Sequence, residues 1–339
     1  MKIRNVILPN QPVFLAPMED ITDRSFRFIC KEHGVDAMIS EFVASEGLIR
    51  DCEKSQKKMN VDDFERPFGI QIYGHLIKSM VEAARMAEKN NPDFIDLNFG
   101  CPARKVAGKG AGAGLLKDIP LMVEMTKAVV ETTNLPVTVK TRLGWDEEHI
   151  QILDITKSLQ DMGIDAITIH GRTKSQMYRG KANWDRIAEV KNDPEVTIPV
   201  IGNGDIDSPQ AAQNAFEQFD VDGIMIGRAA VGRPWLFSMV KEYLETGKMP
   251  QEPTVEEKAD IARRHFLHSV EWKGEPRGIF EMRKHLSNYF KGLPHFKPYR
   301  MKLVKSLDKQ EILDTLKEIA EKYSGFDSSQ LKHDSFFHY

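Results

Sequence analysis

Cysteine is scarce in this sequence. Its 339 residues include three cysteines, Cys30, Cys52 and Cys101. No two of them form a Cys-x-x-Cys pair and their number is odd, so we expect neither a disulfide framework nor a structural zinc site, and no bound metal. Cys30 lies in a helical pattern and is most simply a core residue, and Cys52 is given no role. Cys101 is the cysteine that needs a chemical explanation.

Long hydrophobic runs and a strong net charge are missing as well. No apolar run reaches the ~20 residues that span a bilayer, and the N-terminal residues lack the apolar core and cleavage site of a signal peptide. We therefore predict a cytoplasmic protein without a membrane partner. The formal charge is −3, from 47 basic and 50 acidic residues, and this balance alone gives no reason to expect a polyanion.

The basic residues are nevertheless unevenly distributed. Between Arg277 and Lys305 there are eight Lys or Arg residues but a single acid, Glu281. A solvated helix face is the usual reason for such a run. A surface that contacts a polyanion is the alternative.

Eight short apolar runs recur at wide, similar intervals, with helical patterns between them. Near-continuous apolar runs are typical of strands buried on both faces of a parallel sheet. The runs are VFLAPM (13–18), DAMISEF (36–42), FGIQIYG (68–74), FIDLNFG (94–100), VTVKTRL (137–143), AITIHG (166–171), PVIGNGD (199–205) and GIMIGR (223–228). Their number predicts a (β/α)8 TIM barrel, an α/β fold; a doubly wound sheet, which usually has fewer strands, is the alternative.

The pattern changes after about residue 245. The stretch ETGKMPQEPTVEEK is typical of a linker, and the sequence beyond it has helical periodicity without strand-like runs. We predict a barrel domain over residues 1–245 and a small all-helical C-terminal domain over residues 246–339, which contains the basic span.

Polar residues stand at the ends of the predicted strands. The active site of a parallel barrel lies at the C-terminal ends of its strands, so we expect these side chains to converge. A buried lysine in particular needs a partner or a ligand. The residues are Gln71, Asn98, Lys140, His170, Arg172 and Asn203. Each taken singly fits a structural hydrogen bond or ion pair, but together they predict a site.

The loops after the last two runs, GNGD (202–205) and GRAAVGRPWL (227–236), are candidates for a phosphate site. Barrels often bind phosphate at these two loops, and glycine lets backbone N–H groups approach an anion closely. Ordinary tight turns are the alternative. The glycines at positions 108, 110, 112 and 114 match neither a Walker A loop nor a Gly-x-Gly-x-x-Gly fingerprint. We interpret them as a mobile lid, with capping and packing as alternatives.

Cys101 is open to more than one chemical role. A nucleophile needs a base and an oxyanion hole, and no sequence pattern indicates either. An ordinary thiol has a pKa of ~8.5 and is mostly protonated at neutral pH. A general acid is therefore the favoured role, provided that a reduced cofactor lies nearby.

Several of these stretches together resemble the tRNA-dihydrouridine synthases. They are LAPMEDITDRSFR (15–27), DLNFGCPARKVAGKGAGAGLL (96–116), VKTRLGWD (139–146), TIHGRTKSQMYRGKANW (168–184), VIGNGDI (200–206) and DGIMIGRAAVGRPWLF (222–237). The stretch RGIFEMRKHLSNYFKG (277–292) resembles the tRNA-contacting helical domain of the bacterial B-type members.

The resemblance implies an enzyme that reduces the C5–C6 double bond of selected tRNA uridines to 5,6-dihydrouridine. NADPH, with NADH as the alternative reductant, would reduce a bound FMN, whose N5 would pass hydride to C6. Cys101 would then donate the proton to C5. By the same resemblance Pro17, Met18, Gln71 and Lys140 would contact the flavin ring, and His170 would lie beside that ring or the incoming uracil.

The ribityl phosphate would be held by Asn203, Gly204, Asp205, Gly227 and Arg228. The substrate contacts implied for the barrel are Asn98 and Arg172, and those implied for the helical domain are Arg283, Lys284 and His285. One departure is visible, because this chain has Glu19-Asp20 where many members have Ala-Gly. Whether the protein has protein partners is left open.

Two other functions remain open. An FMN barrel that oxidises or reduces a free pyrimidine, of the dihydroorotate or dihydropyrimidine type, would share the phosphate loops and Lys140. It would leave the basic helical domain unexplained. A non-catalytic RNA-binding or chaperone protein would have no use for Cys101.

Overall fold

The computed structural model describes residues 1–49 and 53–327. Cys52 and residues 328–339 of the predicted helical domain lie outside this part of the chain. The chain divides into two compact units. The first unit comprises residues 1–19, 36–206 and 211–227, and the second comprises residues 20–35, 207–210 and those from Arg228 onward.

The first unit is a closed barrel of parallel strands, as predicted. The strands of the chain are β1 (Lys2–Ile3), β2 (Val6–Ile7), β3 (Val13–Leu15), β4 (Ala37–Ile39), β5 (Val43–Ala44), β6 (Phe68–Tyr73), β7 (Phe94–Asn98), β8 (Val137–Arg142), β9 (Ala166–His170), β10 (Val200–Asn203) and β11 (Gly223–Ile226). The order β4-β3-β11-β10-β9-β8-β7-β6 closes on itself because β4 also pairs with β6. The (β/α)8 barrel is therefore confirmed, and each predicted run contributes one of its strands.

The helices of the described chain lie between the strands and beyond them. They are α1 (Arg24–Glu32), α2 (Ser45–Ile49), α3 (Glu53–Lys57), α4 (Ile77–Glu88), α5 (Arg104–Ala107), α6 (Ile119–Val130), α7 (Ile152–Asp161), α8 (Trp184–Lys191), α9 (Pro209–Phe219), α10 (Leu236–Thr246), α11 (Val255–Lys273), α12 (Arg277–Tyr289), α13 (Lys297–Lys305) and α14 (Lys309–Lys322). Gly34 and Gly163 follow α1 and α7 with φ of 88° and 93°, the left-handed conformation expected at helix ends.

The N-terminal hairpin of β1 and β2 was not predicted. Its buried residues Ile3 and Val6 belong to the same apolar cluster as Phe14, Phe94 and Met225 of the barrel strands. Pro12 and Met1 lie within 3.4 Å of the Cβ position of Gly223, where β11 begins. The hairpin therefore covers the N-terminal end of the barrel, opposite the end at which the predicted site lies.

The second unit is helical. Helices α1 and α10 to α14 share one apolar core, in which Phe266, Ile279, Leu286 and Phe290 are fully buried. A capping box of Thr254 with Glu257 begins α11 inside the stretch that was interpreted as a linker. This division assigns α1 and α10 to the unit of the C-terminal helices. The domain boundary at residues 245/246 stays a prediction.

Within the described residues, no helix is both long and apolar enough to cross a membrane.

Candidate active site

The register of the barrel strands brings the predicted polar residues together. Asn98 of β7 pairs with Lys140 of β8, Arg142 of β8 pairs with His170 of β9, and His170 pairs with Asn203 of β10. All five residues lie at the C-terminal ends of their strands. Their convergence at one end follows from the parallel arrangement, because parallel strands end at the same rim.

A chain of buried hydrogen bonds runs from the barrel interior to the Cys101 loop. Thr138 Oγ1 and Gln71 Nε2 each donate to a different carboxylate oxygen of Asp96, at 2.6 Å. Asn98 Nδ2 donates to Gln71 Oε1 at 2.8 Å, and Asn98 Oδ1 accepts the backbone N–H of Cys101 at 2.9 Å. Asp96 thereby orients Gln71, Gln71 orients Asn98, and Asn98 fixes the backbone at Cys101.

Two predicted ligand contacts therefore have structural partners. Gln71, expected at the flavin edge, is fully buried and bonded at both ends of its amide. Asn98, expected to contact uracil, accepts from both Gly100 and Cys101 in the loop. The hydrogen bonds of Asn98 make it a positioning residue for Cys101.

Asp96 is the residue of this hydrogen-bond chain that sequence analysis missed. Burial raises its pKa from 3.8 to about 6, against hydrogen bonds from Gln71 and Thr138 that favour the charged form. Asp96 lies two residues before Asn98 and so on the same face of β7. A single acid inside an otherwise apolar run was the available signal, because such a group must find partners in the interior.

The raised pKa of Asp96 predicts a pH-dependent difference between wild type and Asp96→Asn. The folded pKa lies above the unfolded one, so ionisation costs folding stability as pH rises from about 4 to about 6. Asparagine carries no such cost and can accept from Gln71 while donating to Thr138. The unfolding free energy of Asp96→Asn relative to wild type should rise by up to about 3 kcal/mol between pH 4 and pH 7. Urea unfolding of the cofactor-free proteins measures it, and a difference that does not change with pH would contradict the assignment.

The thiol of Cys101 is held in its protonated form. Burial raises the pKa of Cys101 above that of an ordinary thiol, and the backbone N–H of Ala103 and the charge of Arg142 offset this only in part. The side chain is still partly exposed. A thiol that is protonated and accessible is suited to donating a proton.

The glycines after Cys101 pack tightly. A Cβ on Gly112 would lie 2.9 Å from Val106 Cγ1 and 3.1 Å from the Cys101 carbonyl oxygen, and φ there is 55°. A Cβ on Gly114 would lie 2.6 Å from the Ala107 carbonyl oxygen. Close packing against the Cys101 loop, which was the alternative to a mobile lid, explains these two glycines.

Lys140 is the cation of the site. Its Nζ donates to Asn203 Oδ1 at 2.9 Å, and Asn203 in turn donates to the Met225 carbonyl oxygen. No carboxylate of the described residues forms an ion pair with Lys140. Burial first, and then the charge of Arg142, lower the pKa of Lys140 from 10.5 to about 7, although Asp96 raises it. The ammonium group has N–H donors to spare for an anionic ligand.

The buried side chain of Arg172 forms an ion pair with the exposed carboxylate of Asp205. The guanidinium of Arg172 is 2% exposed and bonds to Asp205 Oδ2 at 2.8 Å and to the carbonyl oxygens of Arg179 and Gly180. Asp205 Oδ2 also accepts the backbone N–H of Ala182. The predicted substrate role of Arg172 therefore has a structural alternative, because its donors already face protein oxygens.

The remaining cofactor candidates lie at the same rim. A Cβ on Gly204 would approach His170 Cδ2 to 3.1 Å, and one on Gly227 would lie 3.6 Å from the Met18 sulfur. Pro17 precedes Met18 just after β3. Arg228, in contrast, belongs to the second unit. Glu19, the first residue of the Glu19-Asp20 departure, forms an ion pair with Lys58, which offsets its charge.

The predicted RNA contacts lie on α12 of the second unit. Arg283 donates to the Lys305 carbonyl oxygen, and Lys284 donates to that of Asp20; both side chains are partly exposed. His285 is fully buried beside Phe26 and His265. Burial lowers the pKa of His285 to about 4. A neutral, enclosed imidazole is poorly placed to contact RNA, so this burial argues against that role for His285.

Arg142 is a second residue to which sequence analysis gave no role of its own. It donates to the carbonyl oxygens of Gly100, Thr173 and Met177. These bonds tie the loop of Cys101 to the loop that follows β9. Its place at a strand end was visible in the sequence, but its partners were not.

Comparisons with known proteins place this chain in a family. A family model described as dihydrouridine synthase (Dus) matches residues 14–324. A probable tRNA-dihydrouridine synthase of Rickettsia conorii is 40% identical over 301 residues, covering 88% of this chain and 90% of the relative. The tRNA-dihydrouridine synthase B of Vibrio vulnificus is 41% identical over 291 residues, covering 86% and 89%, respectively.

Two solved structures share the fold. Histamine dehydrogenase from Rhizobium sp. 4-9 has a TM-score of 0.58 at 12% identity, covering 95% of this chain and 64% of that one. A 2-naphthoyl-CoA reductase in complex with 2-naphthoyl-CoA has a TM-score of 0.54 at 13% identity, covering 71% and 51%. At such identities the likeness concerns the barrel fold alone. The family model matches residues 14–324, and the two relatives are 40% and 41% identical over 88% and 86% of the chain, so the chain belongs to the dihydrouridine synthase family.

Proposed function

We propose that this protein reduces uridines of tRNA to 5,6-dihydrouridine and that Cys101 is the proton donor. The observation that carries the proposal is the partly exposed, protonated thiol of Cys101 at the same strand rim as the unpaired cation Lys140. The names of the relatives support tRNA as the substrate. A general acid of this kind contributes typically 10²–10⁴-fold to a rate.

The residues of the rim fit FMN as the cofactor. Lys140 has no carboxylate partner among the described residues, so an anionic ring edge suits it. Gly227 has no left-handed φ, and a Cβ there would meet only Ala16 and Met18, at 3.4 and 3.6 Å. The protein's own packing does not demand glycine at that position, whereas close approach of a phosphate group would.

The roles of the residues follow from this fit. We assign Lys140, Gln71, Met18, Pro17 and His170 to the flavin ring. The phosphate is assigned to Asn203, Gly204, Asp205, Gly227 and Arg228. Bound FMN, reduced by NADPH, would supply the hydride for C6 of the uracil. Cys101 holds the proton at Sγ until it is needed at C5, and the Asp96–Gln71–Asn98 chain keeps its backbone in place.

Activity on different substrates distinguishes the rival functions. Purified protein with NADPH and an unmodified tRNA transcript should form dihydrouridine, detected by nucleoside mass spectrometry, and should leave free uridine and orotate unchanged. Turnover of free pyrimidine without turnover of tRNA would favour the free-pyrimidine enzyme. Absence of a flavin absorption band near 450 nm (a family expectation) and of any turnover would favour a non-catalytic RNA-binding protein.

Neutralising Arg283 and Lys284 together is expected to weaken tRNA binding. Lysine and arginine contacts to phosphate release counterions, so losing them also lowers the salt dependence of binding. Flavin content should not change. Binding of tRNA to Arg283→Gln/Lys284→Gln over a salt series measures this. Because both residues also bond to backbone carbonyls, thermal unfolding must accompany the titration, and unaltered affinity in a folded variant would remove the two residues from the interface.

A further inference from the structure

Three loops of the barrel rim bring basic groups onto one aromatic ring. Lys117 ends the 3-10 helix after β7, Trp145 lies in the loop after β8, and Lys174 lies in the loop after β9. The Nζ atoms of Lys117 and Lys174 lie 4.1 and 4.2 Å from the centroid of the Trp145 ring. We name these three residues the Trp145 cluster. Two ammonium groups within contact of the same ring repel one another, and the ring face offsets this only in part.

The Trp145 cluster contains donors without acceptors. Within residues 1–49 and 53–327, neither lysine forms an ion pair, and the indole N–H of Trp145 makes no hydrogen bond. Trp184 and Trp235, by comparison, donate to Gly204 O and Glu252 Oε2. Acids are nearby in sequence, but Asp146 accepts from the backbone and ring of His149 instead. Positive charge together with solvent-accessible N–H donors that no protein acceptor of the described residues occupies is suited to an anion.

The backbone around the Trp145 cluster is well fixed. The N–H groups of Lys174 and Ser175 donate to the carbonyl oxygens of Gly144 and Trp145, each at 2.9 Å. The 3-10 helix that ends at Lys117 begins at Gly112, which packs against Cys101. The cluster therefore belongs to the same strand rim as the thiol. The hydrogen bonds between its loops fix their backbone before any ligand binds.

We propose that the Trp145 cluster binds phosphodiester groups of the substrate RNA next to the uridine that enters the site. This inference rests on the proposed function. Phosphate contacts fix the register of a nucleic acid on a protein, and turning a base out of its stack costs a few kcal/mol that such contacts must offset. Phosphate of the nicotinamide dinucleotide has the same chemistry, so the test must separate the two sources.

The test is a titration with the double variant Lys117→Gln/Lys174→Gln of the flavin-loaded protein. Loss of two phosphate contacts should lower tRNA affinity about tenfold or more and reduce the log–log salt slope by about 1.4. The value of kcat at saturating tRNA and the KM for NADPH in flavin reduction should stay as in wild type. The charge-preserving double variant Lys117→Arg/Lys174→Arg should keep the wild-type affinity for tRNA. A matched control, Lys89→Gln/Lys127→Gln, removes the same charge from two exposed sites, one just after α4 and one on α6, and should leave the slope close to wild type.

Each alternative outcome overturns a distinct claim. Wild-type tRNA affinity and salt slope in the folded double variant would overturn the RNA site. A raised KM for NADPH with unchanged tRNA affinity would mean that the Trp145 cluster binds the reductant, and this result would also overturn the RNA site. Wild-type protein that neither binds nor reduces tRNA would overturn the proposed function itself, which is distinguishable because the first two outcomes require an active wild type.

Discussion

Cys101→Ala protein is expected to form dihydrouridine in tRNA 10²–10⁴ times more slowly than wild type. The variant lacks the proton that the raised pKa of Cys101 keeps on Sγ. Its flavin content and its reduction by NADPH should match wild type, because Sγ takes part in neither. Single-turnover rates of flavin reduction and of its reoxidation by tRNA separate the two steps.

Cys30→Ala is the matched control for this variant. Cys30 is fully buried in the second unit and, like Cys101, is a free cysteine. Its removal should leave both half-reactions unchanged. A wild-type rate of flavin reoxidation by tRNA in Cys101→Ala, or an equal loss of this rate in the two alanine variants, would overturn the assignment of Cys101 as the acid.

Lys140→Met is expected to lower the rate of flavin reduction by about 10²-fold, the usual effect of removing one donor that stabilises developing negative charge. It should also weaken the binding of FMN. Methionine fills a similar volume but leaves Asn203 Oδ1 without its donor. Stopped-flow reduction by NADPH and titration of the cofactor-free protein with FMN measure the two effects.

The pH dependence of FMN affinity tests the charge of Lys140. The pKa of Lys140 is about 7 in the cofactor-free protein, and an anionic ligand favours the ammonium form. Binding above pH 7 must therefore take up a proton, so affinity should be constant below pH 7 and fall up to tenfold for each pH unit above it. Lys140→Arg, which stays charged, should lose this dependence. A wild-type FMN affinity that also stays constant from pH 6 to pH 9 would contradict this role for the charge of Lys140.

The barrel could be predicted from the sequence because its strands are continuous apolar runs with polar residues at one end. Each of the eight runs became a strand, and the rule that parallel barrels place their sites at strand ends located Lys140, His170 and Asn203. The hairpin of β1 and β2 was missed because each strand has two residues, too few to show a period.

The partners of the site residues could not be predicted, because they depend on tertiary packing. The sequence presents Arg172 as a free cation beside a histidine, whereas the fold surrounds it with carbonyl oxygens and Asp205. It presents His285 among exposed basic residues, whereas the helical period turns it into the core. Asp96 escaped notice because it lies one layer below the rim, inside an apolar strand. Spacing along the chain indicates which side chains share a face but not which atoms they meet.

The central claim is that this protein makes dihydrouridine in tRNA. Nucleoside mapping by mass spectrometry of tRNA from a strain that lacks the gene tests it most directly. The account predicts that dihydrouridine disappears from one or more defined positions and returns when the wild-type gene is restored, but not when the Cys101→Ala gene is supplied. Dihydrouridine at unchanged levels in every tRNA of the deletion strain would contradict it.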